Sequence, residues 1–185
     1  MEIETNDRRF VFQKISQMLA SYELMGFVSP ALAKEILEFA RESDKPTYKT
    51  VVAAVAQARH LRPVFLERQE RAQRHAIMLA MLSRPSLDLV AGTLLRAWLV
   101  QKHKPMLVDF LNALGIEHKE GVVEDLPATM DDAKLKAAVD TLLAKYPHET
   151  VAVYLNAFND MNEAHWENLK AMLTSEPSLQ LGNAA

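Results

Sequence analysis

The apolar positions of the chain crowd into one stretch. From His75 to Val100 it reads HAIMLAMLSRPSLDLVAGTLLRAWLV. Ala76 to Leu82 holds no polar side chain, and Leu87 to Val100 holds only Asp88, Thr93 and Arg96. A helix that is apolar nearly all round has to be covered on nearly all sides. Two central helices, broken at Ser83-Arg84-Pro85-Ser86, are therefore expected, with the remaining chain packed around them.

Elsewhere the hydrophobic period is also helical. Prolines at 30, 46, 63, 85, 105, 127 and 147 recur at intervals of 16 to 22 residues. Proline suits the first turn of a helix and disfavours helix in the residue before it, so this spacing marks successive helices with short connections. The pattern predicts helices over 7–25, 30–43, 48–60, 63–83, 87–101, 105–114, 131–146, 149–158 and 163–173. Ser29 is the expected cap of the second, and Gly26 and Gly115 are expected stops. Asp160 and Glu163 have capping-box spacing for the last helix. No β-branched run is flanked by a hairpin dipeptide, so strands are not expected.

The fold class read from this pattern is all-α, with eight or nine helices packed as antiparallel hairpins. One domain over residues 1–174 is expected, with a division into 1–115 and 131–174 across the 116–130 loop as the alternative, and a flexible tail over 175–185. The segment from Thr50, TVVAAVAQARHLRPVFL, resembles the segment from Thr93, TLLRAWLVQKHKPMLVDFL, at an offset of 43 residues. A period of that size suits two-helix solenoid repeats. The architecture is thus either a short HEAT-like stack or an irregular helical bundle.

Composition narrows the chemistry. The 185 residues are 49% hydrophobic and include no cysteine. Disulfide frameworks, thiolate metal sites and cysteine nucleophiles are excluded together. No apolar run approaches the ~18 residues that a bilayer span requires, and the first residues lack an apolar signal core. These features read as a cytoplasmic protein with no membrane partner.

The net charge is only -3, yet it is unevenly placed. Residues 49–104 carry ten Lys or Arg against three acids, and the remainder carries eleven against twenty-one. Aligning the two related segments puts Arg59, His60 and Arg62 at one hairpin tip and Lys102, His103 and Lys104 at the equivalent one. Arg68, Arg71 and Arg74 follow at i, i+3 and i+6 on a shared helical face. Together they form a candidate basic edge for phosphates of a nucleic acid or a phosphorylated ligand. Glu67 and Glu70 sit among these arginines and can neutralise them. No aromatic is read among the basic residues, which argues against a stacking surface for single strands.

Other candidates are weaker. Asp88 and Arg96 lie on the apolar centre, where a charge must reach water or mark a pocket. They are the candidate anion-binding pocket. The 116–127 loop gathers Glu117, His118, Glu120, Glu124 and Asp125, but its spacing matches no metal motif, and it reads as a solvated acidic connection. A helix-turn-helix fitted to 29–57 has too long a turn and almost no base-reading side chains. His75 and His165 read as packing or surface residues. No Gly-rich phosphate loop, nucleophile elbow or dinucleotide fingerprint is present, and no cofactor or metal is implied.

The function read from the sequence is a non-catalytic helical binding or scaffold protein. Its expected partner is a protein, with nucleic acid or a phosphorylated ligand also compatible through the basic edge, and a homodimer is compatible with either. The competing reading is a small-ligand receptor or enzyme using Arg96 and Asp88.

Overall fold

The computed structural model describes residues 18–182. Among them the secondary structure is helical: ten α-helices and two short 3-10 turns, with a single bridge between Lys119 and Val122 in place of any strand. The helices are α1 (Ser21–Phe27), α2 (Pro30–Ser43), α3 (Lys45–Ala58), α4 (Pro63–Glu67), α5 (Arg71–Leu82), α6 (Asp88–Lys102), α7 (Lys104–Leu114), α8 (Asp132–Lys145), α9 (His148–Asn162) and α10 (Glu167–Ser175). The 3-10 turns are Pro85–Leu87 and Pro177–Leu179.

Local chemistry sets most of the boundaries. Pro30 occupies the first turn of α2, and the Ser29 hydroxyl accepts the Leu32 N–H at 3.2 Å. Asp44 ends α2 and caps α3 through the Thr47 N–H at 3.1 Å. Asp131 caps α8 through the Lys134 N–H at 2.9 Å. Gly115 stops α7 in the left-handed region, at φ 65°, and the Ile116 N–H then reaches back to the Leu111 carbonyl. This is the helix-ending geometry that glycine adopts without strain.

α6 is the hub. It touches α1, α2, α3, α5, α7 and α9, and it buries Ala91, Leu94, Leu95, Trp98 and Leu99. At the break before it, α5 and α6 bend by 99° around Pro85. Gly92 lets α1 approach closely: a Cβ there would stand 3.1 Å from the Ser21 hydroxyl. α6 is nevertheless bare along Leu89, Thr93, Arg96 and Val100. The expectation that the 87–101 helix is covered on nearly all sides is corrected, because its neighbours occupy only part of its circumference. The helix covered all round is α9, where Thr150 through Phe158 are buried without interruption.

α9 is held by an aromatic cluster. Phe110, Tyr154 and Phe158 meet edge to face with centroids 5.3 to 5.9 Å apart, and Trp166 lies 5.4 Å from Phe158. Edge-to-face contact aligns the positive ring edge with the negative ring face. α7 packs on α8, and one hydrophobic cluster runs from Leu24 to Leu179.

Several boundaries differ from the sequence reading: α3 runs over 45–58 rather than 48–60, and α9 continues to 162 rather than 158. The 63–83 helix is interrupted at Arg68–Glu70, which raises the helix count to ten. The run Glu67 to Arg74 contains only Ala72 as an apolar side chain, so nothing holds a continuous helix against the core there. α10 begins at Glu167 rather than 163, after Trp166, and Asp160 stays inside α9. The tail expected over 175–185 is in part anchored: Leu179 is buried, and the Gln180 amide donates to the Leu173 and Thr174 carbonyls that end α10. The predicted first helix is observed only from Ser21 to Phe27: residues 18–20 are not helical, 7–17 lie outside the described residues, and Gly26, the expected stop, sits inside the helix, which ends one residue later. Among the described residues no single helix is long and apolar enough to cross a membrane.

Candidate functional site

The predicted basic edge divides into parts with different surroundings. The first is the knuckle between α3 and α4. α3 ends where His60 turns into the left-handed region, at φ 56°, and the Leu61 N–H reaches back to the Ala56 carbonyl at 2.8 Å. That turn is why the helix stops at Ala58 instead of 60. It throws Leu61, Val64 and Phe65 outward, at 44%, 42% and 51% exposure, while Leu66 points into the core. Arg59, Arg62 and Arg68 flank them along the chain, at the end of α3 and at the two ends of α4, and are exposed. Among the described residues none of the three guanidinium groups has an ion-pair partner, although Glu67 and Glu70 are close in sequence.

The second part is the tip between α6 and α7, and it is neutralised. Lys102 pairs with Glu35 at 2.8 Å, and Lys104 pairs with Glu120 at 2.9 Å. His103 is half-buried, edge-on to Trp98 with centroids 4.4 Å apart, and lies 3.8 Å from Glu35. Burial holds its imidazole below the ordinary value, against the pull of the Glu35 carboxylate. Glu35 also accepts from the Trp98 indole N–H at 3.4 Å. Burial pushes its carboxyl upward, but the bond and charge of Lys102 outweigh that and leave it below the usual range.

The third part, on α5, is tied to α2. Arg71 bonds the Glu38 carboxylate and lies 3.3 Å from Glu42, and Arg41 joins the same two acids. Arg74 is half-buried beside Tyr48 and His75. His75 is buried with its Nδ1 3.5 Å from Glu38, and burial lowers its pKa. Arg71 is thus a clamp between α5 and α2, whereas the buried Arg74 Nε has no hydrogen-bond partner among the described residues. The basic edge is not continuous: α2 and the 116–130 loop supply the carboxylates that interrupt it. Beside this clamp, Ala33, Leu37, Ala72, Ala76 and Leu79 line an open cavity of about 500 Å³.

The Asp88 and Arg96 candidates do share a cavity, of about 450 Å³, with Ser21, Leu89, Ala157, Asp160 and Met161. They do not pair with each other. Asp88 accepts the Tyr22 N–H at 3.0 Å and so fixes the first turn of α1. The exposed Arg96 donates to the Asp160 carbonyl at 3.3 Å. Asp160 keeps an exposed edge, yet the protein packed around its carboxyl and then the Asp88 charge push it above the usual range, against Arg96.

The acidic loop is structured by its own side chains. The His118 Nδ1 accepts the Gly121 N–H at 3.1 Å, which leaves Nε2 to donate to the Asn112 side-chain oxygen at 3.2 Å. The Trp166 indole N–H donates to the Pro127 carbonyl at 2.8 Å. Among the described residues no three His, Asp or Glu side chains gather as a metal site requires.

The sequence reading passed over Phe65, an exposed aromatic between Arg62 and Arg68, and so the statement that no aromatic stands among the basic residues is corrected. The signal was present: Leu61, Val64 and Phe65 are spaced i, i+3, i+4 in otherwise polar surroundings. Leu89 and Val100 lie in the stretch expected to be covered on nearly all sides, and both are exposed. Comparison with family models, with characterised proteins and with solved structures finds no match for this chain.

Proposed function

We propose that this is a helical binding protein without catalysis of its own, and that the α3–α4 knuckle holds an acidic, amphipathic segment of a partner protein. One observation carries the reading: three exposed apolar side chains, Leu61, Val64 and Phe65, stand among three arginines that have no ion-pair partner among the described residues. Apolar anchors with arginine around them match the make-up of protein contact surfaces, where aromatic residues and Arg are enriched. Each guanidinium offers a planar fork that suits a carboxylate.

A nucleic-acid partner fits less well. Its affinity grows with the number of phosphates neutralised. Arg71, Lys102 and Lys104 are already matched by carboxylates of this chain. Aliphatic side chains also add little to a phosphate backbone. The absence of cysteine supports placing the protein in a reducing, cytoplasmic compartment. The shared cavity at Arg96 and Asp88 keeps a small-ligand pocket as the second reading.

Fluorescence anisotropy tests the proposal with four labelled probes: a short helical peptide of Glu and Leu, its Lys-for-Glu twin, duplex DNA and anionic phospholipid vesicles. The Glu peptide is expected to bind, more weakly at high salt. Affinity should fall about tenfold in Arg62→Glu/Arg68→Glu and in Phe65→Ser, and hold in Lys102→Ala. Binding of DNA or vesicles through these residues without the peptide, or no binding at all, overturns it.

A further inference from the structure

The large apolar side chains left exposed among the described residues fall into two groups, with only Phe27 apart from them. Leu61, Val64 and Phe65 belong to the α3–α4 knuckle. Leu89 and Val100 of α6 and Val122 of the 116–130 loop make the second group, and Leu89, at 86%, is the most exposed of all.

The second group lies along a trough. Leu89, Thr93, Arg96 and Val100 follow at steps of four, three and four residues on one face of α6. Arg96 shares a cavity of about 450 Å³ with Leu89 and Met161, and another of about 230 Å³ with Val100, Val122 and Met161. The hollow therefore runs between α6, the end of α9 and the loop.

The two groups carry opposite charge. The knuckle is flanked by Arg59, Arg62 and Arg68, which have no ion-pair partner among the described residues. The trough is edged by Asp88, Glu124, Asp160 and Glu163. Glu124 and Glu163 are exposed and likewise have no ion-pair partner among the described residues. The protein packed around Asp160 and then the Asp88 charge hold its carboxyl above the usual range, so a guanidinium placed beside the two acids relieves a repulsion. The trough's own cations are engaged already: Arg96 donates to the Asp160 carbonyl, and Lys104 pairs with Glu120. An occupant has to present apolar side chains with cations at their edges, which is the make-up of the knuckle.

We propose that the α3–α4 knuckle of one copy of this chain docks in the α6–α9 trough of a second copy. The inference rests on the reading of the knuckle as a site for an acidic, apolar surface, and it names that surface. The apolar side chains of the knuckle cover Leu89, Val100 and Val122, and its arginines meet the acidic edge. The two halves of such a contact are different surfaces, so a pair of copies leaves one knuckle and one trough free and assembly continues head to tail.

Sedimentation velocity of the full chain tests this. The mean mass should rise to about twice that of the single chain or more as concentration is raised, and rise less at high salt. Arg62→Ser/Phe65→Ser disables the knuckle, and Leu89→Ser/Val122→Ser disables the trough. All four side chains are exposed, so both variants keep the fold. Each alone should remain a single chain at every concentration. Mixed in equal amounts they should form pairs of about twice the mass and stop there, because one supplies an intact trough and the other an intact knuckle. An unaltered chain that stays single, self-association that survives in either variant, or a mixture that does not pair overturns the proposal. The Glu and Leu peptide separates this inference from the reading beneath it, since the trough variant keeps its knuckle open. Peptide binding by that variant, with no self-association of the unaltered chain, defeats this inference alone. Loss of both defeats both.

Discussion

The two basic tips begin from nearly the same sequence and end in opposite states. One reads Arg-His-Leu-Arg-Pro and the other Lys-His-Lys-Pro. At the first, His60 turns left-handed and the chain leaves α3 in a knuckle that exposes apolar side chains. At the second, His103 keeps φ at -110°, α7 follows at once, and the imidazole packs on Trp98. Glu35 and Glu120 then neutralise the lysines. The lesson is that a local basic pattern does not fix its own electrostatic state. The carboxylates that decide it come from elsewhere in the chain.

The largest effect expected from this contrast is on stability. Trp98 is fully buried, and Trp98→Ala should cost about 3–5 kcal/mol. Phe65→Ala at the other tip should stay within about 0.5 kcal/mol. Urea unfolding of the two variants measures both, and equal losses would erase the distinction between a packed tip and a free one.

The backbone offers the next test. His60→Gly relieves a left-handed turn and should stabilise by up to about 1 kcal/mol. His103→Gly, at an ordinary φ, should destabilise by about 1 kcal/mol or more, since it also removes the ring from Trp98. The opposite signs are the point, and the same urea titrations report them.

Smaller still is the contribution of the surface pairs. Lys102→Ala and Lys104→Ala should each change stability by less than about 1 kcal/mol, because both pairs are open to water. Their larger role is in charge. Glu35→Gln with Glu120→Gln frees both lysines, and the second tip should then gain affinity for the acidic helical peptide, by a few-fold in anisotropy. An unchanged affinity would mean that exposed apolar side chains, not free cations, distinguish the knuckle.

The last effect depends on pH. Burial holds the His103 imidazole below its ordinary value of 6.5, so the unfolded chain takes up the proton more readily. Stability should fall as pH drops through 6.5 and level off once the folded imidazole titrates too. His103→Gln removes that share of the acid loss, and thermal melts followed by circular dichroism across this range will show a shallower decline if the burial argument holds.

Helix ends were the most legible part of the fold. Ser29 with Pro30, Asp131 and Gly115 act through groups at most four residues away, and α2 runs over the residues that the pattern predicts. The break at Arg68–Glu70 was less legible, because charged residues such as Glu, Arg and Gln are good helix formers and only the missing apolar face argues against a helix. The pairing of the candidate site was not legible at all. Glu35 and Lys102 are 67 residues apart, and Glu38 and Arg71 are 33 apart. The bare face of α6 was legible in part: Thr93 and Arg96, two of the three polar residues between 87 and 100, lie on it, whereas Leu89 and Val100 on the same face are apolar and do not mark it.

The positions of the two indoles have an optical consequence. Trp98 sits in the α2–α6 packing beside His103, and Trp166 closes the aromatic cluster of α9 while holding the loop at Pro127. Both are buried, so both emit toward the blue in the folded chain and shift red on exposure. Trp98→Phe leaves a reporter for the C-terminal helices, and Trp166→Phe leaves one for the helices before the loop. Superimposable emission transitions from the two variants would mark a single cooperative unit. Two separate transitions would put a folding boundary at residues 116–130, and each indole would then read out one side of it.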